Sequence, residues 1–263
     1  MPSAVEHKLS NTISQSQVDH WNKVLSYLTP QEVLKWSIVT FPNLFQTTAF
    51  GLTGLVILDM LSKLDPMEGL DNPSHPVDLV FVDTLYHFPQ TLDLVDKVRQ
   101  KYPSVKLHIF KPAGCETESD FKQKYGDELW VKDDMKYDYL AKVEPTQTAY
   151  KTLGIDAVFT GRRRSQGGAR GSLPVVEIDK VSQVIKINPL ASWDFKEVRD
   201  YVKANDVPYN DLLDLGYKSI GDWHSTQPVN EGEDERAGRW KGQAKTECGI
   251  HVTSKFAEFL QAK

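Results

Sequence analysis

Cysteine is nearly missing from this chain. The 263 residues include 2, Cys115 and Cys248, far apart in the sequence. So sparse a supply excludes a disulfide scaffold and a four-thiolate metal site. Long apolar runs are also missing: no stretch reaches the roughly 18 residues that a membrane span needs, and no membrane association is expected. The opening stretch, MPSAVEHKLSNTISQ, lacks the basic start and apolar core of a secretory signal. A cytoplasmic, reduced setting is the expectation. Positive charge is not in excess either. The formal net charge is −5, which argues against a general nucleic-acid binder but leaves room for a local basic site. No internal repeat or low-complexity segment interrupts the chain.

What is present is ordinary globular material, 40% hydrophobic and 25% charged. Helical pattern dominates residues 16–41, with Leu25, Leu28, Leu34 and Trp36 among its apolar positions. Strands and helices then alternate. LFQTTAF (44–50), VDLVFVD (77–83), VKLHIFK (105–111) and DAVFTG (156–161) read as strands. Residues 51–64, 89–102 and 144–154 read as helices, with Pro89 suited to a first turn and Gly154 to a stop. PVVEID and VIKINPL form a hairpin or further strands, and Ser192 or Asp194 caps a helix running to about Asn205. This alternation predicts an α/β fold with a mostly parallel, twisted sheet and helices on both faces. The expected division is an α/β domain over residues 1–215 and a polar, Gly-rich, mobile tail over 216–263, ending in a short helix, SKFAEFLQA.

Ligands of open parallel sheets bind at the carboxyl ends of the strands, and three motifs fall there. The first is TTAFGLTG, residues 47–54. Strand, small turn, then helix would aim loop amides and a helix N-terminus at an anion, although a plain tight turn fits as well. The second is Asp83, a carboxylate at a strand end that suits a ribose hydroxyl or a helix cap; His87 beside it reads as structural or surface. The third is TGRRRSQGGARG, residues 160–171. Arginine forks bind phosphate and sulfate bidentately, and glycines let backbone approach the ligand. A solvated basic loop is the bland alternative. In the tail, Arg236, Arg239, Lys241, Lys245 and His251 surround Cys248. Cations favour the nucleophilic thiolate, partly offset by the acidic run EGEDE (231–235). Cys115 has acidic neighbours and reads as incidental or packed. Together these features point to a thiolate attacking an activated group carried on a nucleotide.

At these residues the chain resembles the 3'-phosphoadenylylsulfate (PAPS) reductases of sulfate assimilation, especially the fungal type, from about Asp19 through the tail. TTAFGLTG resembles the family's modified PP-loop, within an adenine nucleotide alpha-hydrolase-like fold. VFVDTLYHFPQT resembles its next nucleotide-contacting segment; KVEP (142–145), TGRRRSQGGAR and KTECGIH (245–251) resemble others. The resemblance implies that Cys248 attacks the sulfur of the activated sulfate. Adenosine 3',5'-bisphosphate leaves, and thioredoxin releases sulfite from the S-sulfocysteine. It places Lys142, Arg236, Arg239 and His251 around the reacting group, with Lys245 nearby. It lays the nucleotide across Thr47, Thr48, Ala49, Phe50, Gly51, Leu52 and Thr53, with Asp83 and Leu85. Gly161, Arg162, Arg163, Arg164, Gln166 and Arg170 remain for the phosphates. It also implies a homodimer.

Relatives that act on adenylylsulfate (APS) hold a four-iron four-sulfur cluster on a Cys-Cys pair and a later C-x-x-C. Here Tyr137, Asp138, Asp222 and Ser225 stand at those positions. A cluster needs thiolates, so none is expected, nor any other bound metal, and PAPS is favoured over APS. Rival readings are a cluster-free APS reductase, and a nucleotide transferase or pyrophosphatase of the same fold. The latter usually carry S-G-G-x-D-S where this chain has TTAFGLTG, and have no use for the Cys248 tail. A non-catalytic nucleotide sensor would be indifferent to Cys248→Ser.

Overall fold

The computed structural model of the chain describes residues 9–64, 77–243, 245–257 and 259. Two amphipathic helices open it, α1 (Gln15–Leu25) and α2 (Pro30–Thr40). Each begins with a capping box, Ser14 with Gln17 and Thr29 with Glu32, which satisfies backbone N–H groups that a first turn leaves unpaired. The alternating part follows: β1 (Leu44–Thr48), α3 (Leu52–Ser62), β2 (Asp78–Val82), α4 (Pro89–Lys101) and β3 (Leu107–Phe110). After it come α5 (Glu118–Tyr125), α6 (Leu129–Lys132), α7 (Asp134–Asp138), a π-helical segment (Tyr139–Val143) and α8 (Glu144–Thr152). Then β4 (Ala157–Phe159), the hairpin β5 (Val176–Ile178) and β6 (Ile185–Ile187), and α9 (Phe195–Ala204) complete the core.

The sheet runs in the order β3-β2-β1-β4-β6-β5, parallel except for β5, which pairs antiparallel to β6. Successive strand residues face opposite sides. Leu79, Phe81, Ala157 and Phe159 join the core beneath α3, while Val80 and Val158 join Ala149 and Tyr150 of α8 on the other face. α3 is buried from Thr53 to Leu61, so it reads as a near-continuous apolar run rather than a stripe. Its one carboxylate, Asp59, accepts hydrogen bonds from Tyr102 and Tyr201, both at 2.9 Å. β1 lies between β2 and β4, so the chain's connections diverge there, and a crevice opens at the strand ends.

No sequence pattern assigns residues 112–143, which form α5 to α7 and the π-segment; these short helices carry too few turns to display a period. One expectation, the mobile tail, needs correction. The tail is not free. His87 bridges to Asp222 and Thr226 to Arg239 in antiparallel fashion, and Trp240 and Phe256 are buried. Its polar composition hides this, because the packing rests on a few aromatic anchors and on ion pairs. At its end a 3₁₀ turn spans Thr253–Phe256; most of the expected helix SKFAEFLQA beyond it lies outside the described residues.

Candidate active site

The crevice is built first from the turn after β1. Thr48 Oγ1 accepts the Phe50 amide at 2.9 Å, and Phe50 takes φ 54°. Gly51 then caps α3 with no side-chain hydrogen bond, leaving the helix's first amides aimed into the cleft. Residues 47–54 all line it. On the β4 side, Gly161 touches this helix start: a Cβ there would lie 3.0 Å from the Gly54 amide nitrogen. Glycine lets the arginine loop approach this closely without displacing the backbone of α3.

Three of the loop's four arginines, Arg162, Arg163 and Arg170, are paired with carboxylates. Arg163 is buried and donates to Thr53 Oγ1 at 2.9 Å and to both oxygens of Glu235 at 2.8 and 2.7 Å. Arg170 makes a fork on Glu247 at 2.6 and 2.7 Å and also reaches Gln166. Arg162 pairs with Glu177. All three line the cleft, as does Gln166. Arg164 does not; its Nε donates to the Leu173 carbonyl at 2.8 Å.

The tail closes the cleft with Arg236, Arg239, Cys248 and His251. Cys248 is near enough that a charge on its sulfur would favour the charged forms of Arg236, Arg239 and Lys142. Arg239 stacks on Trp240, with its guanidinium carbon 4.4 Å from the ring centre, and its Nε has no partner. Gly221 makes room, since a Cβ there would fall 2.3 Å from Arg239 Nη2. Arg236 and Lys245 approach the same indole at 5.7 and 5.2 Å. Trp240 therefore organises three cations through its ring face, a role that no local pattern in GRWKG announces. Burial, then the neighbouring Arg170, pushes Arg236 down to about 10, so it stays charged at neutral pH. His251 behaves differently. Burial, together with Arg162, Arg170, Lys186 and Arg236, drives it well below the usual histidine range. It is a neutral imidazole and not a further cation, and its Nδ1 is unpartnered.

Lys142 comes from the π-segment that runs into α8, an irregularity of the kind often found at functional sites. Its Nζ lies 2.9 Å from Asp138 Oδ1 and 2.8 Å from Asp222 Oδ2. Burial works against its charge, but the two carboxylates outweigh it and raise the ammonium above its ordinary range. Tyr137 OH donates to Asp222 Oδ2 at 3.0 Å, and Thr84 Oγ1 donates to Asp222 Oδ1 at 2.7 Å. The structure thus brings together Tyr137, Asp138 and Asp222, with Ser225 Oγ 3.4 Å from the Asp222 carbonyl. These hydroxyls and lysine-paired carboxylates do not fit an iron–sulfur cluster, which needs thiolates. Among the described residues no group of three or more His, Cys, Asp or Glu is arranged to hold a metal ion.

Three more expected residues stay off the cleft wall. Asp83 turns back to accept the Leu85 amide at 2.9 Å. Leu85 packs against the cluster around Tyr86 and Phe121. Lys245 is held by Asp134 and Asp138, both at 2.7 Å. Sequence reasoning in turn missed His87, Thr84, Lys218 and Asp222, all lining the cleft. His87 is held by the Val82 carbonyl at 3.2 Å and lies against Phe81. Its neighbours in VDTLYHFPQT are apolar enough to have hidden it. Cys115 is buried, and burial first of all raises its thiol above the ordinary range.

The profile of the phosphoadenosine phosphosulfate reductase domain matches residues 43–228. The chain belongs to that family. It is 62% identical over 253 residues to the phosphoadenosine phosphosulfate reductase of Saccharomyces cerevisiae, covering 95% of each chain. It is 36% identical to an adenosine 5'-phosphosulfate reductase of Staphylococcus epidermidis, covering 85% of this chain and 87% of the other. Among solved structures, the phosphoadenylyl-sulfate (PAPS) reductase from Candida auris in its phosphate complex superposes with a TM-score of 0.73 at 60% identity, over 82% of this chain and 98% of that one. An FMN adenylyltransferase of Candida glabrata, at 15% identity and a TM-score of 0.56 over 94% and 87%, shares the fold alone. The phosphoadenosine phosphosulfate reductase family therefore accounts for the α/β sheet, with the parallel core and loop motifs falling inside the matched span.

Proposed function

We propose that this chain reduces PAPS to sulfite and adenosine 3',5'-bisphosphate in sulfate assimilation, with thioredoxin as reductant. What carries the reading is one cleft: Cys248 lines the same crevice as the N-terminus of α3 and the arginine loop. The Cys248 thiolate attacks the sulfur of the phosphosulfate. The sulfur–oxygen bond to phosphate breaks, and the nucleotide leaves with the electron pair. A phosphate leaving group needs little general-acid help; it needs cations placed where charge develops. Arg239 and Arg236 fill that part. Neutral His251 serves as a hydrogen-bonding group. One thioredoxin thiolate then attacks Cys248 Sγ and expels sulfite, and its second thiol resolves the mixed disulfide. The dithiol is oxidised and the sulfur gains two electrons. Residues 216–263 act as the lid that delivers Cys248 to the cleft. A homodimer in the cytoplasm is part of the same proposal.

The identity to PAPS reductases, well above that to APS reductases, supports the phosphorylated nucleotide as substrate. The test is intact-protein mass after mixing with PAPS or with APS, without reductant. A gain of one SO3 from PAPS only, lost in Cys248→Ser, is expected. A gain from both substrates removes the preference and keeps the chemistry. No gain from either, with nucleotide still bound, refutes the reading.

A further inference from the structure

Two buried carboxylate–ammonium assemblies grip the few residues that follow Cys248. The first is at the π-segment: Asp138, already holding Lys142 and Lys245, accepts the Gly249 amide at 3.1 Å. The second lies on the β5–β6 hairpin, where neither member lines the main cleft: Asp179 paired with Lys186, their side chains 4% and 3% exposed. Asp179 Oδ1 accepts the amides of Val181 at 3.0 Å and Ser182 at 2.9 Å, which secures the hairpin turn. A turn of that kind needs no buried lysine. Burying two opposite charges costs about as much as their attraction returns, unless their remaining hydrogen-bonding capacity is used. Here that capacity goes to the tail. Thr253 Oγ1 lies 2.8 and 2.9 Å from the two Asp179 oxygens, and Lys186 Nζ donates to the Ile250 carbonyl at 3.2 Å. Between these grips Gly249 is wedged against the protein: a Cβ there would fall 2.7 Å from Val143 and 2.9 Å from Phe256.

We infer that the Asp179–Lys186 pair is a positioning device for the nucleophile. It fixes residues 250–253 from the hairpin side while Asp138 fixes residue 249 from the helix side, and Cys248 is held at the end of that clamped stretch. The inference rests on Cys248 being the attacking thiol. A reacting atom must be held within close tolerance for attack, and a small displacement lowers the rate strongly. The pair touches no substrate and acts only through the chain that carries the thiol.

Thr253→Val removes the hydroxyl at constant shape and leaves the ion pair intact. Single-turnover formation of the Cys248 adduct from PAPS should slow by ~10-fold, while the affinity for adenosine 3',5'-bisphosphate stays that of wild type. Thr253→Ser should restore the rate. Asp179→Asn should slow it further, and Thr253→Val keeps the test valid where that variant fails to fold. Amide exchange over residues 249–253 should quicken in Thr253→Val. A wild-type rate in Thr253→Val, equal losses of rate and affinity, or no rescue by serine would each overturn the inference. Should wild type itself form no adduct, the functional reading fails, and unchanged amide exchange in Thr253→Val would remove the clamp as well.

Discussion

Lys142 Nζ stands 2.8 Å from Asp222 Oδ2, with 6% and 2% of the two side chains exposed. The pair ties the π-segment to the start of the tail. Removing Asp222 leaves the buried Lys142 with Asp138 as its one carboxylate and takes the acceptor from the Tyr137 and Thr84 hydroxyls, so Asp222→Ala should cost about 3–5 kcal/mol of stability. Urea unfolding monitored by tryptophan fluorescence measures it. A loss under about 1 kcal/mol, the range of exposed pairs, would mean that water reaches this lysine.

His224 supplies a pH dependence. It stacks on Trp130 at 4.1 Å, and neither ring nitrogen makes a hydrogen bond, Nε2 lying 3.7 Å from Asp222 Oδ2. Burial is the main cause that takes it from the ordinary 6.5 down to about 4; Lys142 and Lys245 add to this, while Asp222 and Asp138 oppose it. The folded state therefore keeps it neutral while the unfolded chain takes up a proton. Stability is fully present above pH 6.5 and falls as pH drops towards 4, by roughly 3 kcal/mol when complete. His251 is shifted in the same direction. Asp179, held down to about 2 despite burial by Lys186 and its hydrogen bonds, loses its contribution only below the ordinary carboxylate range. Urea midpoints between pH 7 and 4.5 should fall less steeply for His224→Phe, which forfeits no hydrogen bond. Parallel profiles for variant and wild type would rule His224 out as the source.

Arg239→Ala should lose turnover far more than nucleotide affinity. Its guanidinium lies on Trp240 with Nε unpartnered, within electrostatic reach of Cys248. A cation aimed at charge that forms only in the transition state is worth about 10²–10³ in kcat. Steady-state kinetics and titration with adenosine 3',5'-bisphosphate separate the two quantities. Equal losses would take Arg239 away from the reacting end.

Cys115→Ser should remain active. The thiol is buried beside Phe121 and Tyr137, and burial raises it, which leaves little thiolate. Alkylation of the native protein should label Cys248 well before Cys115. An inactive Cys115→Ser enzyme with intact folding would contradict this assignment.

Sequence pattern carried the sheet because period and burial agree there: VDLVFVD and DAVFTG are apolar on both faces and became central strands β2 and β4. It carried most of the cleft because TTAFGLTG and GRRRSQGG are contiguous. It could not carry Asp222, Trp240 or the Asp179–Lys186 pair. Each acts on residues distant in the chain, as Lys142 to Asp222 and Thr253 to Asp179 show. Asp83 and Arg164 stay off the cleft wall for the opposite reason. Their neighbours mark them as ligands, but their side chains are taken by the Leu85 amide and the Leu173 carbonyl. Polar composition likewise concealed that the tail is anchored by aromatic rings and ion pairs.

The arginine loop brings its own counterions. Glu177, Glu235 and Glu247 occupy the forks of Arg162, Arg163 and Arg170. Under the proposed function, an entering nucleotide does not meet a bare basic patch; it trades places with carboxylates tethered to the same chain. That exchange sets a threshold. A ligand with one weak charge offers an arginine no more than a glutamate already does. A polyanion whose phosphate and sulfate groups span several forks at once exceeds what the tethered carboxylates supply. Selection then follows the number and spacing of negative charges, and not charge alone.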